Sequence, residues 1–295
     1  MSRPLLAALA SLALSACSVL PATEIQRLED LRYSPDDWAQ ALYADVYFPP
    51  PGQDTGARPA ALVVHGGGWQ RRDRSDMEAT ARQLAAAGLV AINIDYRFAP
   101  EHPFPAQLHD LQQAMAWIHR QAASWRIDTR RIIGVGYSSG GHLVSLLGVI
   151  GEGHPLDRPY GGEHARLAGV LTGGTPTDLF KFADGRLVVE FLGGTRAEVP
   201  QRYRLASPYH QLGDSAPPFF LFHGSLDTLV PRDHAADFHA ALRARGIPSR
   251  LHYQSLRGHF LGFLTRGPAI AAGIDFLSDA WGDGEAPPVD AARSR

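Results

Sequence analysis

Residues Gly136-Tyr137-Ser138-Ser139-Gly140 stand between an apolar run, Arg131 to Val135, and a helix-like stretch, Gly141 to Ile150. That order of strand, tight turn and helix constrains the fold more than any other feature of the chain. A serine at the tip of such a turn takes a strained backbone conformation, so the residues two before and two after it must be small. Gly136 and Gly140 meet that demand for Ser138. With Ser139 at the tip, Tyr137 would fall on one of the small positions, so Ser138 is the expected nucleophile. A Gly/Ser turn of this length also arises by chance, and the rest of the chain gives it its weight.

Strand and helix signals alternate on both sides of the turn. Ala41 to Phe48 reads as a strand ended by Pro49-Pro50-Pro51-Gly52, and Ala60 to His65 and Leu89 to Tyr96 read as buried strands. Ser75 to Ala87 reads as a helix stopped by Gly88, and Pro105 to Gln121 has helical spacing at Leu108, Leu111, Met115 and Ile118. Beyond the turn, Leu167 to Thr172, Phe219 to His223 and Arg250 to Leu256 are strands, and Asp233 to Arg245 and Ile270 to Trp281 are helices. This alternation predicts an α/β fold, a mostly parallel sheet with helices on both faces. With 295 residues, one such domain is expected over 41–281, after a tether and lead-in at 17–40 and before a Pro- and Ala-containing tail at 282–295 expected to be disordered.

The first residues read as an export signal. Arg3 is followed by a short apolar stretch, Leu5 to Leu14, too short to span a bilayer, and then by Leu14-Ser15-Ala16-Cys17. The ending resembles a bacterial lipobox, which implies a signal peptide at 1–16, lipid on Cys17 and a protein anchored to a membrane of the cell envelope. Cys17 is the only cysteine, so no disulfide within the chain accounts for it.

In an open parallel sheet, chemistry collects at the carboxyl ends of the strands. The strand ending at His65 runs into Gly66-Gly67-Gly68-Trp69, where bare backbone N–H groups can approach a ligand. Gly67, Gly68 and Ser139 are the expected oxyanion-hole donors. The strand ending at His223 opens into Gly224-Ser225-Leu226-Asp227, and the last strand is followed by Arg257-Gly258-His259. Asp227 is the expected acid and His259 the general base, in the chain order Ser, Asp, His. Asp233 and Asp237 compete for the acid role but fall on a helix, and Asp214 precedes its strand at the wrong end of the sheet. His223 and His252 lie within strands and are expected to be packed or hydrogen-bonded, and His65 is expected to be structural.

With these motifs in place, the chain from Val46 to Phe276 resembles the α/β-hydrolase superfamily. Within it, the His-Gly-Gly-Gly-Trp motif is similar to that of esterases related to hormone-sensitive lipase and of the feruloyl esterase-like group. Asp95-Tyr96-Arg97-Phe98-Ala99-Pro100-Glu101-His102-Pro103-Phe104-Pro105-Ala106 resembles a further segment of those esterases, in which Glu101 and His102 are expected to buttress the site. The resemblance implies a serine carboxylic-ester hydrolase for short-acyl or small aromatic esters, working through an acyl-enzyme with no cofactor and no metal. Its partner is a small-molecule ester. An arylformamidase-like amidase is the enzymatic alternative, and a surface binding lipoprotein on an inactive hydrolase scaffold is the alternative from another class. Asp178 to Arg204 is expected to supply a small lid. The net charge of −2 and the lack of a basic run interleaved with aromatics exclude nucleic acid as the expected partner.

Overall fold

The structure, a computed structural model, describes residues 24–52 and 56–281. The chain enters the sheet through β1 (Gln26–Arg32), which pairs antiparallel with β2 (Tyr43–Phe48). β1 lies within the stretch read as a lead-in. β3 (Arg58–Val64) follows, then helix α1 (Glu78–Ala86), β4 (Val90–Ile94) and the long helix α2 (Ala106–Trp125). β5 (Ile127–Tyr137) leads into α3 (Ser139–Val149), and β6 (Gly169–Gly173) into a 3₁₀ turn at Leu179–Phe182 and three short helices, α4 (Arg186–Leu192), α5 (Pro200–Ala206) and α6 (Pro208–Gln211). β7 (Phe219–Gly224), α7 (Asp233–Ala244), β8 (Ser249–Gln254), α8 (His259–Leu264) and α9 (Gly267–Trp281) complete the described chain.

The eight strands form one mixed sheet in the order β1-β2-β4-β3-β5-β6-β7-β8. From β4 through β8 every neighbouring pair is parallel, as the alternation predicts, and β2 joins β4 antiparallel. The apolar run in β3 has a direct cause. Successive side chains point to opposite faces, and here both faces are covered: Leu62 and Val64 pack into a core with α2, α3 and α7, while Ala61 and Val63 pack into one with α1 and α9. A strand buried on both sides cannot alternate with polar residues. Burying one such leucine contributes about 1.5–3 kcal/mol.

This topology brings the carboxyl ends of β3, β5, β7 and β8 to one edge of the sheet, where the loops carrying Gly66–Trp69, Ser138, Asp227 and His259 emerge. His259, expected in a loop, is the first residue of the six-residue helix α8, with Gly258 as its N-cap.

One expectation is corrected. The reading of residues 1–16 as a signal peptide, of Cys17 as a lipid anchor and of the protein as a membrane-anchored lipoprotein has no support in the fold. Cys17 lies outside the described residues, and among the described residues no helix is long and apolar enough to cross a membrane. The expected tail at 282–295 also lies outside the described residues.

Candidate active site

Ser138 sits at the tip of the β5–α3 turn with φ 55° and ψ −125°, a conformation that costs about 1–3 kcal/mol and persists only where its surroundings enforce it. They do so through the backbone. The Ser138 N–H donates to the Gly173 carbonyl at 2.8 Å, and the Ser138 carbonyl accepts from the His142 N–H at 2.9 Å. The flanking glycines are sterically required: a Cβ on Gly136 would lie 2.5 Å from the Gly140 carbonyl, and one on Gly140 would lie 2.2 Å from the Val64 carbonyl oxygen. The demand read from the sequence is met by backbone that cannot swing aside.

The three polar side chains expected to act together do meet. The Ser138 hydroxyl lies 2.9 Å from His259 Nε2, and His259 Nδ1 lies 2.7 Å from Asp227 Oδ2. Because the carboxylate can only accept, the imidazole proton sits on Nδ1, which leaves Nε2 free to accept from the serine. Asp227 Oδ1 accepts from the backbone N–H groups of Leu229 and Val230 at 3.0 and 2.9 Å. Burial opposes ionisation of Asp227, but its hydrogen bond and charge interaction with His259 and the Val230 N–H outweigh burial and hold the carboxyl below its ordinary value. This is the arrangement of a serine-hydrolase triad.

Gly67, Gly68 and Ser139 line the same cavity as Ser138. Among the described residues, no backbone bond outside the helices and strands occupies the N–H groups of Gly67, Gly68 or Ser139. Gly67 has φ 121°, and a Cβ there would lie 2.0 Å from the Arg71 carbonyl oxygen, so the loop admits only glycine.

The competing residues lie elsewhere. Asp233 and Asp237 are on α7 and pair with Lys181 at 3.1 and 2.5 Å, and Asp214 is exposed beside Arg245. His65 is buried, stacked on Tyr96, and donates from Nδ1 to the Gly66 carbonyl. His252, expected to be packed or hydrogen-bonded, is exposed on the edge strand β8. His102 accepts through its carbonyl from Gln107, a scaffold contact away from the triad.

Two residues that sequence reasoning did not single out hold the site. Tyr137, directly before the nucleophile, donates its hydroxyl to the His259 carbonyl at 2.6 Å. His142 accepts from the Trp69 indole N–H at 3.1 Å and donates from Nε2 to the Ala206 carbonyl at 2.6 Å. Burial drives the His142 pKa down to about 4, against the pull of the Ala206 bond, so the ring is neutral and can accept on one side while it donates on the other. Its position one helical turn after Ser138 was the available signal.

The cavity has a volume of about 310 Å³. It is lined by the glycine loop, by Phe182, Leu187, Val188, Leu229, Phe260 and Phe263, and by the charged residues Arg71, Arg72, Asp76 and Arg186. The segment expected to form a lid supplies Phe182, Leu187 and Val188, and it is docked: Trp69 stacks on Phe191 of α4 at 4.5 Å, and Gln70 donates to Glu190 at 2.7 Å.

Comparison with known proteins agrees with this geometry. Esterase LipC of Mycobacterium tuberculosis is 33% identical over 218 residues, covering 70% of this chain and 53% of LipC. The chain spans about half the length of the mycobacterial relatives it matches. Among solved structures, a bifunctional GH43-CE protein of Bacteroides eggerthii superposes with a TM-score of 0.73 at 26% identity, over 87% of this chain and 38% of that one. Esterase 2 of Thermogutta terrifontis, solved with propionate, gives 0.72 at 23% identity, over 91% and 97% of the two chains, and shares the fold. These matches support a globular esterase domain and lend nothing to the membrane-anchored, envelope-localised lipoprotein expected from the leader. The BD-FAE family model matches residues 44–242, from β2 through most of α7, and on that match the chain belongs to the BD-FAE family, carboxylesterase and feruloyl-esterase-like proteins of the α/β-hydrolase fold.

Proposed function

We propose that the protein is a serine carboxylesterase acting on short-acyl or small aromatic esters through an acyl-enzyme. The observation that carries the proposal is the Ser138–His259–Asp227 relay, with contacts of 2.9 and 2.7 Å, opening into an apolar cavity of about 310 Å³. His259 Nε2 takes the Ser138 proton as the hydroxyl oxygen attacks the ester carbonyl carbon. Asp227 orients the imidazole and stabilises the imidazolium. The developing oxyanion lies against the N–H groups of Gly67, Gly68 and Ser139, each such donor contributing about 2.7–4 kcal/mol in acyl transfer. His259 then returns the proton to the leaving alcohol, and water repeats the sequence to release the acid. A cavity of this size, with a mostly apolar lining, favours a compact apolar acyl or aryl group, since such a pocket gains from burial of apolar surface.

The test is hydrolysis of a p-nitrophenyl ester chain-length series, with an arylformamide alongside, by wild type and Ser138→Ala. Short esters are expected to turn over fastest, and kcat is expected to fall on the order of 10⁶-fold in the variant. Amide turnover without ester turnover would replace the reading with an amidase, and silence on both substrates would sink it.

A further inference from the structure

His223 lies on β7, four residues before Asp227, and is 1% exposed. Its Nε2 lies 2.8 Å from the Val230 carbonyl oxygen. A carbonyl only accepts, so the ring proton sits on Nε2, and Nδ1 is buried with no partner. The same Nε2 is 3.6 Å from Asp227 Oδ2, the oxygen that accepts from His259. Val230 in turn donates its own N–H to Asp227 Oδ1. Val230 is thus held at both backbone groups, by His223 on its oxygen and by the carboxylate on its nitrogen. Pro231 follows, which restricts Val230 further.

A histidine in a core costs stability when one nitrogen goes unpaired, because a buried polar group loses its hydrogen bonds to water without a replacement. An apolar side chain of similar size would avoid that cost, so packing alone does not account for an imidazole here. What the ring supplies that an apolar side chain cannot is the N–H on Val230. Burial also pushes the pKa of His223 down, against the pull of the Val230 bond and of Asp227, which keeps that N–H in place as a neutral donor.

We infer that His223 is a positioning residue for the acid: by pinning Val230 it shapes the turn from Leu226 to Val230 so that Asp227 presents Oδ2 to His259. The inference rests on the triad reading given above. It adds a second histidine beside the carboxylate, one that takes no proton during turnover and acts through the backbone.

The test compares His223→Phe, which fills the space without a donor, with His223→Gln, whose amide nitrogen reaches the position of Nε2. His223→Phe is expected to lower kcat about 10- to 100-fold with KM within about twofold of wild type, because a small displacement of the acid suffices for such a loss. His223→Gln is expected to recover most of it. Proton NMR gives an independent readout, since the low-field resonance of the proton between Asp227 and His259 should shift or broaden in the Phe variant and return in the Gln variant. Should His223→Phe not fold by thermal melt, His223→Asn, too short to reach Val230, takes its place. Wild-type kcat in the Phe or Asn variant, or a Gln variant as impaired as Phe, overturns the inference. Loss of the triad reading is separately visible as wild-type hydrolysis that survives Ser138→Ala.

Discussion

The two halves of the site are built from different materials. The nucleophile half, comprising the Ser138 turn and the glycine loop, is held by backbone: strained φ values, carbonyls within 2.0–2.5 Å of where a Cβ would stand, and hydrogen bonds between main-chain groups. The acid–base half shares such backbone bonds, as from the Leu226 N–H to the Arg257 carbonyl, but adds side-chain restraints on the residues that bear the chemistry, with Tyr137 on the His259 carbonyl and His223 on the Val230 carbonyl, and it is flanked by exposed apolar residues such as Leu226, Leu256 and Phe260. Backbone restraint tolerates no added atom. Side-chain restraint tolerates change in steps, because each contact can be removed alone. The contrast assigns folding sensitivity to the first half and graded catalytic sensitivity to the second.

Three experiments press on that contrast. Asp227→Asn should leave the fold intact and lower kcat about 10⁴-fold, because the amide imposes the wrong imidazole tautomer. Steady-state kinetics beside a thermal melt checks it, and a melt lowered as far as that of a glycine-turn variant would erase the distinction between the halves. Next comes a matched pair of glycines. Gly140→Ala drives a Cβ to 2.2 Å from Val64 and should cost about 3 kcal/mol or more. Gly258→Ala, at φ −84° with its nearest atom 3.6 Å away, should stay within about 0.5 kcal/mol of wild type. Denaturant unfolding of both variants measures the gap, and equal losses would break the comparison.

The smallest effect concerns pH. His142 stands on the nucleophile side with its pKa lowered from 6.5 to about 4, so in that window it is neutral when folded and protonated when unfolded. The unfolded chain then binds more protons, and stability falls as pH drops from 6.5 toward 4, by about 1.4 kcal/mol per pH unit from this group. His142→Gln should reduce the stability difference between pH 7 and pH 5 by about 2 kcal/mol, as read by urea unfolding at the two pH values. An unchanged difference would show that His142 is not the group responsible.

Legibility in the sequence follows the same division. The Ser138 turn is readable because its steric demand is local, two glycines at fixed offsets after a buried strand, and because the other strand ends carry the groups that give it weight. Asp227 and His259 were readable through topology, since each follows a parallel strand at the same sheet edge. Helix α8 was not, because six residues are too few to display a 3.6-residue period. β1 was missed for an opposite reason. As an edge strand it carries Arg27, Glu29, Asp30 and Arg32, charges that discourage pairing with another chain and also hide the strand signal. Tyr137 and His142 bond to residues more than 60 positions away, and no pattern near either one announces the partner. The leader misled in its own way: a short apolar run ending in cysteine invited an anchor that neither the fold nor the related esterases support.

The contacts between α4 and the glycine loop bear on how such a protein can change. Leu187 lines the pocket from the helix whose Phe191 and Glu190 grip Trp69 and Gln70. Any substitution that reshapes this helix to admit a different ester therefore also disturbs the loop bearing the proposed oxyanion donors. Selection for new substrates through α4 acts on turnover at the same time, whereas changes at Phe260 and Leu229 leave that loop alone and meet the acid–base pair instead, since the Leu229 N–H donates to Asp227 and Phe260 packs edge-on against His259. Diversification of substrate range in this scaffold is coupled to catalysis by either route, through the oxyanion loop from α4 and through the acid–base pair from Leu229 and Phe260.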